Sequence, residues 1–229
     1  MTEKKELYIV GGPNGAGKTT FVKHFLPEYV NVTNFVNADD IAVGLSPFDR
    51  NAMPIKSGKI MLELIDQYRE KGQSFGFETT LAGQKWRKMI AEMKSAGYRV
   101  YIFFLDLSSA DLAVARVKYR VKSGGHEIPE ETIRRRYVRA RANFWYNYKE
   151  LAENWYLFFG GTIIMVPSHK TDKLGLMAEK AFKEAVKAAL KTHQEKGIPA
   201  VFMKNGKIVY LMPDGKVVEK VKPHKKSSK

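Results

Sequence analysis

No cysteine occurs among the 229 residues, and the five histidines show no metal-ligand spacing. Structural disulfides, thiolate metal sites and cysteine nucleophiles are therefore excluded. No apolar run approaches the roughly 20 residues that a membrane span requires. The short apolar stretch Leu7–Val10, behind a charged start, has neither the length nor the cleavage pattern of a signal peptide. The expectation is a soluble cytoplasmic protein with no membrane partner. Acidic residues are in short supply, 24 against 39 basic ones, for a formal charge of +15. A surface of that sign attracts polyanions, either nucleic acid or a multiply charged nucleotide or nucleotide-sugar. Part of the excess is local: Lys216, Lys220, Lys222, Lys225, Lys226 and Lys229 face a lone Glu219, which reads as a solvated tail.

The remaining composition, 44% hydrophobic and 12% aromatic, is that of a globular protein with a sizeable core. Short β-rich runs alternate with helical stripes. Leu7–Val10, Val32–Val36, Ser74–Phe77 and Tyr98–Leu107 read as strands, followed by Tyr156–Phe159 and Thr162–Val166. Between them lie helical patterns: Thr19–Phe25, stopped near Pro27; Met53–Glu70; Trp86–Ala96; Ser109–Lys122; and Pro129 to about Asn154. Lys173–Lys196 closes the series. The alternation predicts an α/β three-layer fold with a mainly parallel sheet, and the glycine-rich loop Gly12–Thr19 between its first strand and first helix makes that a P-loop NTPase fold. After residue 196 the pattern changes. Asn205-Gly206 between two short β runs spells a hairpin, and Pro213-Asp214-Gly215 a further turn. The predicted organisation is a main domain over 1–196 with a helical lid around 116–137, a small C-terminal β-hairpin appendage over 197–222, and a basic tail over 223–229.

Between the first strand and first helix stands Gly12-Pro13-Asn14-Gly15-Ala16-Gly17-Lys18-Thr19, which matches G-x-x-x-x-G-K-[ST]. Glycines at this spacing let the backbone wrap an anion and aim its N–H groups at phosphate oxygens, while the next helix points its positive end at the same place. ATP and Mg2+ are the implied ligands. Lys18 is expected to reach the β- and γ-phosphates, and Thr19 to hold the metal, with Thr20 secondary.

In α/β sheets, ligands bind beyond the carboxyl ends of the strands, so polar residues directly after a strand are the next candidates. Asp39-Asp40 could take the proton of an attacking hydroxyl or help position magnesium; either could equally cap a helix at Ile41. Glu78-Thr79-Thr80 could bind a polyol, or could also be a cap. Asp106, after an apolar run, imitates a metal-binding carboxylate or caps the helix near Asp111. Phosphoryl transfer also needs cations on the migrating group. Arg116 and Arg120 share a helix face, and Arg134-Arg135-Arg136 opens the helix after the Gly124-Gly125-His126 loop, a lid-like arrangement. The aromatics Phe144, Trp145, Tyr146, Tyr148, Trp155 and Tyr156 could stack on a base, with helical core packing the favoured reading.

Taken together, Gly11–Thr20, Asn37-Ala38-Asp39, Phe77-Glu78-Thr79-Thr80 and the stretch Arg116–Tyr137 resemble the zeta-toxin family of P-loop kinases, over roughly residues 6–165. The resemblance implies ATP- and magnesium-dependent phosphorylation of a sugar hydroxyl, with UDP-N-acetylglucosamine as the family's acceptor, and an antitoxin protein as partner. It implies Asp39 as base, Glu78 as a substrate contact beside Thr79 and Thr80, and two lid arginines on phosphate oxygens, assigned to Arg120 and Arg134, with Arg116 a rival for the first. Two positions depart from the family. Its substrate-site threonine has no counterpart among Leu112–Ala115, and the Gly-Gly-His loop differs. The expected activity is transfer of the γ-phosphate of ATP to a hydroxyl of a small molecule. Its rivals are a kinase acting on nucleic-acid ends or another polyanion, and a non-catalytic nucleotide-dependent switch.

Overall fold

The computed structural model describes residues 5–46, 54–122, 125, 127–160, 162–166 and 172–219. Five strands form a parallel sheet in the order β2-β3-β1-β4-β5, where β1 is Glu6–Gly11, β2 Phe35–Val36, β3 Phe75–Thr79, β4 Arg99–Asp106 and β5 Asn154–Phe159. A sixth strand, β6 (Thr162–Met165), adds antiparallel to β5 at the edge. The predicted three-layer α/β fold is the one observed.

Alternation along the central strands explains the layers. In β1, Tyr8 and Val10 face one side while Leu7 and Ile9 face the other; in β4, Phe103 and Leu105 oppose Ile102 and Phe104. The first face is covered by α1 (Lys18–Tyr29), α5 (Ala110–Lys122) and α7 (Lys173–Glu195), through Phe21, Phe25, Val117 and Phe182. The second is covered by α3 (Pro54–Glu70), α4 (Trp86–Ser95) and the end of α6 (Glu130–Asn143), through Ile65, Ile90 and Ala140. Aromatic rings fill both layers. Phe103 stacks on Tyr156 at 4.9 Å, and Phe104 on Phe144 at 4.4 Å. Phe144 and Tyr148 are thus core residues.

Several boundaries differ from the sequence expectation. Pro27 does not stop α1, because it sits inside the helix, whose packing against α7 continues to Tyr29. The second strand is only Phe35–Val36, and a short helix α2 (Ala38–Leu45) follows it directly. The helix from Pro129 ends at Asn143 rather than near Asn154. It continues as a π-helical turn over Phe144–Tyr148 and a 3-10 turn over Lys149–Leu151, which re-aim the aromatics into the second layer.

The C-terminal segment is three-stranded, not only a hairpin: β7 (Ala200–Lys204), β8 (Lys207–Leu211) and β9 (Val217–Val218) pair antiparallel. It rests on α5, where Tyr210 meets Tyr119 at 5.1 Å and Val201 joins the first core layer. Gly124 and His126 of the lid loop, residues 220–222 and the basic tail 223–229 lie outside the described residues.

Candidate active site

The site lies at the carboxyl edge of the sheet, where β1 runs into the Gly12–Thr19 loop. Two positions show why this loop is glycine-rich. Gly12 has φ +139°, and a Cβ there would fall 2.2 Å from the Leu105 carbonyl oxygen, so β4 forbids any side chain. Gly17 sits at φ 89° as the N-cap of α1, with no side-chain capping bond. The first amides of α1 are thereby left for an external acceptor, which is what an anion at a helix N-terminus uses. Asn14 is buried as well, and its Oδ1 has no hydrogen-bond partner among the described residues.

Lys18 is 6% exposed, a rare location for an ammonium group. Its Nζ donates to the Pro13 carbonyl at 3.1 Å and lies 3.8 Å from Glu78 Oε1. Burial pulls its proton affinity down; Glu78 and Asp39 oppose that shift, while Arg120 and Arg136 add to it. Four charged groups from four segments are thus close enough to act on one ammonium. Burial likewise raises the Glu78 carboxyl, against the pull of Lys18 and of the Thr19 hydroxyl.

Glu78 reaches this position through strand register. β3 lies beside β1 with Val10 opposite Glu78, so the end of β3 flanks the base of the loop. Thr19 Oγ1 donates to Glu78 Oε2 at 2.7 Å, and Asn37 Nδ2 donates to the same oxygen at 3.3 Å. Asn37 also caps α2, accepting from the Asp39 N–H at 2.9 Å. The capping duty at this helix therefore falls to Asn37, and the exposed Asp39 and Asp40 stand in its first turn. Asn37 carried a sequence signal, an Asx residue directly before an acidic first turn, but its contact with Glu78 depends on β2 and β3 being neighbours.

The two threonines after Glu78 serve the loop. Thr79 Oγ1 accepts from the Leu81 N–H at 3.2 Å and from Trp86 Nε1 at 2.9 Å, and Thr80 Oγ1 accepts from the Ala82 N–H at 3.4 Å. Thr20, half-buried, is the third residue of α1. Asp106 ends β4 on the other side of β1. It pairs with Arg141 at 3.1 Å and accepts from the Leu107 N–H at 2.9 Å, and burial raises its carboxyl. Glu78, not Asp106, is the strand-end carboxylate that touches Thr19.

The arginines divide differently from the expectation. Arg120 is half-buried and acts on Lys18. Arg134 is exposed and turned to Glu130, 2.8 Å away, and to Asp111, 2.6 Å away. Arg136 is half-buried, and its charge is felt by Lys18 and in turn feels Asp39. Two residues along a helix turn the side chain by roughly 200°. Once Arg134 pairs outward with Glu130 and Asp111, Arg136 is the one brought to the site. Among the described residues no group of three or more His, Asp or Glu side chains could cage a metal. A cation here would rest on Thr19 and Glu78 together with its nucleotide, which suits magnesium.

A family model described as an AAA domain matches residues 7–142. The chain belongs to the AAA domain family. The match spans β1 to the end of α6 and so contains every site group named above. An uncharacterized protein of Haemophilus influenzae is 29% identical over 126 residues, 55% of this chain and 88% of that one. Among solved structures, the PezAT chromosomal toxin-antitoxin system of Streptococcus pneumoniae holds a similar chain, with TM-score 0.56, 16% identity, and coverage of 85% of this chain and 88% of that chain. The AvrRxo1-ORF1:-ORF2 complex with ATP is similar at TM-score 0.57, 13% identity, 80% of this chain and 77% of that chain. The Pnkp1/Rnl/Hen1 RNA repair complex gives 0.52, 18%, 63% and 47% respectively. At these identities the likeness is one of fold. The resemblance to zeta-toxin-like P-loop kinases holds at that level, and this AAA domain has a P-loop kinase-like fold. No helix among the described residues is long and apolar enough to cross a membrane.

Proposed function

We propose that this chain is an ATP- and magnesium-dependent kinase that transfers the γ-phosphoryl group to a hydroxyl of a small molecule. One observation carries the reading: the buried Lys18 of the loop lies 3.8 Å from Glu78 at the end of β3, whose other oxygen accepts from Thr19 at 2.7 Å, and the charges of Asp39, Arg120 and Arg136, from α2, α5 and α6, act on the same ammonium. A structural glycine turn has no use for such a convergence, whereas phosphoryl transfer requires it.

The residues present fit the nucleotide and the metal. The side-chain-free turn at Gly12, the uncapped amides after Gly17 and the buried Asn14 and Lys18 form an anion cradle. Thr19 and Glu78 would hold magnesium, which when bound neutralises phosphate charge. Asp39 stands where it can accept the proton of an acceptor hydroxyl as that oxygen bonds to the γ-phosphorus. The bond to the bridging oxygen breaks, and ADP leaves with its electron pair. Arg120 and Arg136 supply cations to the migrating group, Arg136 replacing Arg134 in the role assigned from sequence. Glu78 belongs on the metal side rather than on the acceptor, and Thr79 and Thr80 shape the loop behind it. A UDP-activated amino sugar remains the acceptor that the zeta-toxin resemblance suggests. Both the PezAT and AvrRxo1 structures are two-component complexes by name, which supports an antitoxin-type protein partner here.

A second reading is favoured by one observation. Arg135 and Arg139, one turn apart, are exposed on α6 of a chain carrying +15, which suits a nucleic-acid end as acceptor. Incubation with labelled ATP, a metabolite extract and, separately, 5′-hydroxyl oligonucleotides separates the two. Label in a small metabolite supports the first reading, label in the oligonucleotide the second. Tight ATP binding without transfer to either leaves a nucleotide-dependent switch.

A further inference from the structure

Arg116 has no part in the reading above, yet it touches the phosphate loop. It lies one helical turn before Arg120 on α5 and is half-buried. Its Nε donates to the Val201 carbonyl at 2.9 Å, and its Nη1 donates to the Gly15 carbonyl at 3.3 Å. Gly15 is inside the loop, and Val201 is the second residue of β7. One guanidinium therefore joins the loop to the C-terminal sheet.

The fit is close. A Cβ on Gly15 would come within 3.1 Å of Arg116 Cβ and 3.2 Å of the Ala113 carbonyl oxygen, so α5 lies directly against the loop. The sheet is also held to α5 by Tyr210 against Tyr119 at 5.1 Å and by the buried Val201, which joins the core layer of α5. Arg116 has no carboxylate partner among the described residues, and burial alone lowers its proton affinity. A partly desolvated guanidinium bound only to carbonyls is costly unless an anion lies nearby. The anion cradle of Gly12–Thr19 is the place it adjoins.

We infer that the C-terminal three-stranded sheet is a working part of the nucleotide site. The Val201 carbonyl fixes the Arg116 guanidinium against the Gly15 turn, where it braces the phosphate loop and adds positive charge to a bound polyphosphate. Arg116 is a positioning residue, and the sheet acts on the nucleotide through it. This rests on the phosphate-loop reading of the proposed function.

The test is MgATP titration calorimetry on the full chain, in a double-mutant cycle of Arg116→Gln with Tyr210→Ala, beside Arg116→Lys and Lys18→Met. Arg116→Gln should weaken ATP about tenfold, the equivalent of one charge-assisted hydrogen bond. Arg116→Lys, which keeps the charge but loses the planar fork, should recover part of that loss. Tyr210→Ala should weaken ATP by itself, yet add almost nothing in the Arg116→Gln background. Purely structural packing at Arg116 would give Lys and Gln variants of equal affinity. If Arg116→Gln proves unfolded by circular dichroism, the cycle is run on Arg116→Lys with the same expectation of non-additivity. Wild-type affinity in Arg116→Gln, equal affinities for the Lys and Gln variants, or full additivity with Tyr210→Ala would overturn the inference while leaving the phosphate loop intact. A wild-type chain that binds no ATP, indistinguishable from Lys18→Met, would instead overturn the loop reading itself and this inference with it.

Discussion

Replacing Lys18 with methionine should unfold the protein more readily, and replacing Glu78 with glutamine alongside it should restore much of the loss. Lys18 and Glu78 are 6% and 12% exposed, with Nζ 3.8 Å from Oε1. At that separation and an effective dielectric constant near 20, their attraction is about 4 kcal/mol. The methionine removes this term and leaves a carboxylate that burial already raises, held only by Thr19 at 2.7 Å and Asn37 at 3.3 Å. Neutral donors offset part of the cost, so the net loss should be about 3 kcal/mol. Glu78→Gln in the same chain removes the stranded charge while its amide oxygen can still accept from Thr19. The coupling between the two substitutions should then be at least about 2 kcal/mol. Urea unfolding without nucleotide, followed by tryptophan fluorescence, measures it, because Trp86 and Trp155 are buried in the second core layer. A pH series adds a sign. Glu78 takes up its proton more readily in the folded chain than at its ordinary 4.5, so the folded state binds the extra proton. Stability from this group therefore falls as pH rises from 4.5 through the raised folded value. Lys18→Met should steepen that fall, with the stability gap to wild type narrowing on acidification toward pH 5. Additivity of the two substitutions within about 0.5 kcal/mol, or a gap independent of pH, would refute the picture of a coupled buried pair.

Asp39→Asn should abolish phosphoryl transfer to the acceptor while MgATP affinity in a binding titration stays near wild type; an unaltered turnover would remove Asp39 from the role of base. Arg136→Gln should lower turnover by about 100- to 1,000-fold, as loss of one donor to developing charge does. Arg134→Gln, which loses only exposed pairs to Glu130 and Asp111, should leave turnover within about twofold and the melting temperature nearly unchanged; the reverse ranking in ADP-release assays would restore Arg134 to the site. Gly12→Ala should eliminate nucleotide binding and lower the melting temperature together, because the added methyl would fall 2.2 Å from the Leu105 carbonyl oxygen at φ +139°.

The sequence alone determined the layers, the P-loop, the strand-end positions of Glu78 and Asp106, and Asp39 just past the second strand. Those features rest on local periodicity and on residue chemistry fixed by short-range sterics: apolar alternation, and glycines at constrained backbone positions. Tertiary structure decided which of these groups meet. Glu78 rather than Asp106 touches Thr19 because β3 pairs beside β1 with Val10 opposite Glu78, a register set by sheet order. Asn37 took the cap of α2, since its side chain accepts from the Asp39 N–H, a choice that the neighbouring acids left open in sequence. The charge of Arg136, not that of Arg134, acts on Lys18, while Glu130 and Asp111, one of them on another helix, hold Arg134 outward. The C-terminal sheet showed in sequence as two β runs about Asn205-Gly206 and a further turn at Pro213-Asp214-Gly215, without any sign of what it packs against. Its tie to the phosphate loop through Arg116 spans residues 15, 116 and 201, and only packing brings such distant segments together. Chain-local forces write the elements into the sequence, while the meeting of charges at Lys18 follows from strand order and helix rotation, which depend on the whole core at once.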